Sequence, residues 1–106
     1  MINPTDLYNK ALAAGEEWAD KDHAAGVLED ALDALKGQIS AELKAKGESI
    51  SLIRDLTRKD DRWREASIRW RDARKQALIA KLKYEQVCRY QDNLRTNQVT
   101  ERQLAR

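Results

Sequence analysis

Apolar residues recur at alternating steps of three and four along most of the chain. The first run is Leu7, Ala11, Ala14, Trp18, Ala25, Leu28, Leu32, Leu35 and Ile39, with Lys21 as its one polar member. Glu16, Glu17, Asp20, Glu29, Asp30 and Lys36 fall on the other face. That spacing predicts a long amphipathic helix from about residue 5 to residue 46. Asn3 or Thr5 can cap its start, with Pro4 and Asp6 beside them as start signals. Gly47 is the natural stop, because glycine tolerates the left-handed conformation that closes a helix. Lys44 and Lys46 place positive charge where a last turn favours it.

After this stop, Ser49 or Ser51 can cap a short helix over about residues 51–58, with Ile50, Ile53 and Leu56 as its apolar face. Asp60 or Asp61 then restarts the chain. The last helix, about residues 61–97, carries the cleanest pattern. Trp63, Ala66, Trp70, Ala73, Ala77, Ala80, Tyr84, Val87, Gln91 and Leu94 step by three and four without a break, as the a and d positions of a heptad do. Four of these residues are alanines, which let two helix backbones approach closely. Trp63, Trp70 and Tyr84 supply the bulk. The seven residues Trp63, Ala66, Trp70, Ala73, Ala77, Ala80 and Tyr84 form the candidate interface. A polar tail follows Asn97 and is expected to fray.

The predicted fold class is all-α: a long antiparallel helical hairpin, coiled-coil-like, with a short connecting helix, in one domain spanning residues 1–106. Each helix of a hairpin buries one stripe and leaves the rest wet. Leu12, Leu43, Ile68, Leu78, Ile79 and Leu82 lie off the main seams and widen the exposed apolar surface. Burial at about 25 cal/mol per Å² must exceed ordering costs of about 1–2 kcal/mol per residue, and a lone hairpin is marginal on that comparison. The expectation is a homodimer, arranged as an antiparallel four-helix bundle. Gly15, Gly26 and Gly37 recur every eleven residues, a step that keeps them near one face. Either they form a groove for the close approach of a partner helix, or the spacing is coincidence.

Composition sharpens this picture. Charged residues make up 36%, a proportion also met in disordered chains, but the regular apolar spacing argues for order. The net charge of +2 hides an asymmetry: residues 1–50 carry ten acids and five lysines, residues 51–106 fifteen Lys/Arg and eight acids. Either the two oppositely charged halves lie side by side, or the basic half meets nucleic acid. No apolar run approaches the roughly 20 residues that span a bilayer, so no membrane partner is expected. The N-terminus lacks a basic region followed by an apolar core, and a cytoplasmic location is expected by elimination.

The residues of catalysis are sparse. His23 has Gly26 and Val27 where a second metal ligand would stand, and only Asp20 can join it, too few for a structural zinc site. Cys88 is the single cysteine and lies beside the second seam, where a small buried hydrophobe is its natural role. Gly47-Glu48-Ser49 lacks the second glycine and the lysine of a phosphate loop. Glu16/Asp20 and Glu29/Asp33 lie on a solvated face. No enzyme activity, cofactor or metal is expected. The basic half is the one alternative with chemistry: Arg58, Lys59, Arg62 and Arg69, near Trp63 and Trp70, are candidate nucleic-acid contacts. Packing claims both tryptophans first, which leaves a phosphate-facing stripe and weak, salt-dependent binding.

The stretch Ala73-Arg74-Lys75-Gln76-Ala77-Leu78-Ile79-Ala80-Lys81-Leu82-Lys83-Tyr84-Glu85 resembles a segment of small phage and prophage proteins of unknown function. Arg95-Thr96-Asn97-Gln98-Val99-Thr100 is similar to the Arg-Thr-x-x-Ala-Thr end of that family. Tyr8-Asn9-Lys10-Ala11, Trp18-Ala19, Lys46-Gly47 and Ser49 extend the resemblance to most of the chain. The sequence departs at Tyr90-Gln91-Asp92, where the family is more aromatic, and at Leu52, where a capping-box Glu is expected. The signature of the secreted helical hairpins with a Trp-x-Gly turn is missing. The phage resemblance implies an accessory role in DNA metabolism, since such genes often lie near recombination functions, and a phage-encoded protein partner. It implies no catalytic residues.

Overall fold

The computed structural model describes residues 3–105. Three helices follow one another: α1 (Pro4–Ala45), α2 (Ile50–Lys59) and α3 (Asp61–Leu104). The long helices α1 and α3 run antiparallel and pack along their length, and the short α2 packs on both near the turn. Gly15 and Trp18 meet Tyr84, Trp18 lies under Lys81, and Glu42 reaches Arg62, which fixes one register for the whole hairpin.

Each helix end has a local cause. The Asn3 side chain accepts a hydrogen bond from the Thr5 backbone N–H at 3.0 Å, and Pro4 occupies the first turn, where its missing N–H costs nothing. At the other end, the Glu48 N–H donates to the Leu43 carbonyl and the Gly47 N–H to the Lys44 carbonyl. That pair of bonds is the Schellman closure, and it requires the left-handed φ of +84° at Gly47. Ser49 caps α2 by position only, since its hydroxyl lies 3.2 Å from that of Ser51 instead of bonding the backbone. Asp60 caps α3 by accepting from the Arg62 N–H at 2.9 Å.

The two seams read from the sequence are the contact between the helices. Leu7, Ala25, Leu32 and Ile39 on α1 and Ala77 and Ala80 on α3 are buried. The other seam residues are half-buried, Lys21 excepted, which is exposed. A lysine at such a position lies its stem along the seam and keeps its ammonium in water. Gly15 lies where Tyr84 crosses: a Cβ there would stand 3.3 Å from the ring. Gly26 and Gly37 face open space. The eleven-residue spacing is therefore not one groove, and its single close approach is to the chain's own Tyr84.

Two expectations need correction. The helical tail does not stop near residue 97; α3 continues to Leu104. In the observed register α1 begins level with about the end of the expected helix, so the last turns of α3 have no opposing helix and are exposed throughout. Thr96 and Thr100 bond the carbonyls four residues back, so their hydroxyls fit a helix. In α2, Ile50 is 81% exposed and does not belong to the apolar face. Ile53 and Thr57, one helical turn apart, are buried instead. The Thr57 hydroxyl is satisfied by donating 2.7 Å to the Ile53 carbonyl.

The molecule measures 81 × 21 × 14 Å, two helices wide and about one thick. Its radius of gyration is 23.1 Å, against about 13 Å for a compact chain of similar length. The accessible surface is 8564 Å², whereas a compact monomer of this mass exposes roughly 6,100 Å². The hairpin on its own leaves much more surface wet than folded monomers of its size do.

Candidate functional site

The seven candidate interface residues, Trp63, Ala66, Trp70, Ala73, Ala77, Ala80 and Tyr84, all lie on the α3 seam and are buried or half-buried there. The seam serves the contact with α1, so the surface open to another molecule lies elsewhere. Tyr84 packs against Trp18 with ring centroids 5.6 Å apart and a tilt of 33°. Lys81 caps the outer side of Trp18, its ammonium 5.9 Å from the ring centre. Hydrogen bonding with Cys88 pushes the Tyr84 phenol above its ordinary value. Trp70 carries the Arg74 guanidinium 5.0 Å over its ring, and its indole N–H is buried without an acceptor. A buried donor left so costs about 1–3 kcal/mol, which the packing of this large ring must offset.

All four candidate nucleic-acid contacts are exposed, and Arg58, Lys59 and Arg69 make no ion pair among the described residues. Arg62 has a different task. Its Nη2 and Nη1 donate to the Glu42 carboxylate at 2.7 and 3.3 Å, and its Nε and Nη2 donate to Asp60 at 3.2 and 3.1 Å. This fork ties α1, the α2–α3 junction and α3 together at the turn end. Hydrogen bonds from Arg62 hold both the Glu42 and the Asp60 carboxyl below their ordinary values, and the two carboxylates in turn raise the guanidinium. Among the described residues, Glu42–Arg62 is the ion pair joining α1 to α3. The acidic and basic halves do lie side by side, but their charges are otherwise left facing solvent.

Among the described residues, two open apolar surfaces stand out. One is a groove of about 1190 Å³ at the end away from the turn, lined by Leu7, Tyr8, Leu12, Tyr90 and Leu94, with Glu16 and Arg95 at its edges. Tyr8 and Leu12 are mostly exposed in it. The other is the outward face of α3. Ile68, Leu78, Ile79 and Leu82 are 65%, 55%, 38% and 51% exposed. At 3.6 residues per turn, Ile68, Ile79 and Leu82 fall within about 40° of one line. Ala77, on the seam, lies roughly 180° away from Ile68. The sequence placed these residues off the seam; the register shows that Ile68, Ile79 and Leu82 lie on the opposite side, with Arg71 and Lys75 between them.

His23 is exposed and Cys88 half-buried. No helix among the described residues is long and apolar enough to cross a membrane. Comparison with known protein families, with characterised proteins and with solved structures gives no match.

Proposed function

We propose that this chain is a non-enzymatic helical interaction protein of phage or prophage type, which associates with itself and binds a protein partner. The observation that carries this reading is the set of exposed apolar residues Ile68, Ile79 and Leu82 on the side of α3 away from α1, on a hairpin one helix thick. An amphipathic helix is stabilised by burying its apolar side. On α3, the side that α1 does not cover carries the exposed Ile68, Ile79 and Leu82. The resemblance to phage proteins encoded near recombination genes supports DNA recombination as the setting. Sedimentation equilibrium of the whole chain from one to a hundred micromolar tests the self-association. A mass rising toward twice 12.2 kDa supports it. A mass that stays at one chain throughout removes it.

An accessory nucleic-acid role is the second reading, favoured by the exposed Arg58, Lys59 and Arg69. With Arg62 bound to two carboxylates and both α3 tryptophans in the seam, what remains is phosphate contact without base stacking. Binding of this kind is weak, indifferent to sequence and strongly salt-dependent. Fluorescence anisotropy with single- and double-stranded DNA at two salt concentrations tests it, and no binding at low salt eliminates it.

A further inference from the structure

We draw no further inference here: the strongest candidate, the open apolar groove between the start of α1 and the last turns of α3, bordered by Tyr8, Leu12, Tyr90 and Leu94, carries nothing because nothing in the structure shows what covers it.

Discussion

Replacing glycines of α1 by alanine separates the positions where backbone closeness matters from those where it does not. An ideal Cβ at Gly26 or Gly37 meets no heavy atom within 4 Å, and neither residue has a positive φ. Each substitution therefore keeps only the helix-propensity gain of about 1 kcal/mol. The sites are eleven residues apart, roughly 16 Å along the helix, so the gains add to about 2 kcal/mol in the double variant. At about 4–8 °C per kcal/mol for a domain near this size, the melting temperature rises by roughly 8–16 °C. Gly15→Ala differs. Its methyl would stand 3.3 Å from Tyr84 Cε2, so the ring, packed against Trp18, must give way by a few tenths of an ångström, which offsets the propensity gain. The expected shift for Gly15→Ala is near zero or negative. Melts followed by circular dichroism at one fixed protein concentration measure all three, since association would otherwise move the midpoint. A loss of stability in Gly37→Ala would refute the reasoning, because it would mean that a second molecule packs against this side of α1.

Three further outcomes follow from the same contacts. Ile39, 1% exposed, is the most enclosed large side chain, and Ile39→Ala is expected to cost about 3–4 kcal/mol in urea unfolding. The Arg62 fork makes stability depend on acid: Glu42 and Asp60 are held below their ordinary values of 4.5 and 3.8, so their contribution is full above those values and is lost as pH falls through the lowered ones. Melts between pH 6 and pH 2 should show that decline in the wild type and a flatter one in Arg62→Gln. Truncation after Asn97 is expected to remove helical signal in proportion to its length and to leave the melting temperature unchanged, because the removed turns face no other helix.

The hairpin was legible in the sequence because each seam is a local pattern. A step of three and four names the enclosed face of a helix whatever it packs against, and Leu7 to Ile39 and Trp63 to Leu94 are the residues found enclosed. The Gly47 closure was legible for a similar reason, since one residue type satisfies its backbone requirement. What was not legible depends on register. Thr57 and Ser67 are polar and nothing in their neighbourhood marks them as core, yet they are buried at the end of the hairpin on which α2 docks. The pairing of Arg62 with Glu42 spans twenty residues of sequence and appears only once the turn is closed. Ile68, Ile79 and Leu82 were visible as off-seam residues, but their position opposite α1 required knowing which side α1 takes.

The ends of the hairpin are unequal in what holds them. At one end the Schellman closure and the Arg62 fork fix the angle between the long helices. At the other, some 60 Å away by the rise of α1, Tyr8 and Leu12 border an open groove. The polar ties of the hairpin and its open groove thus lie at opposite poles, with the packed apolar seam between them.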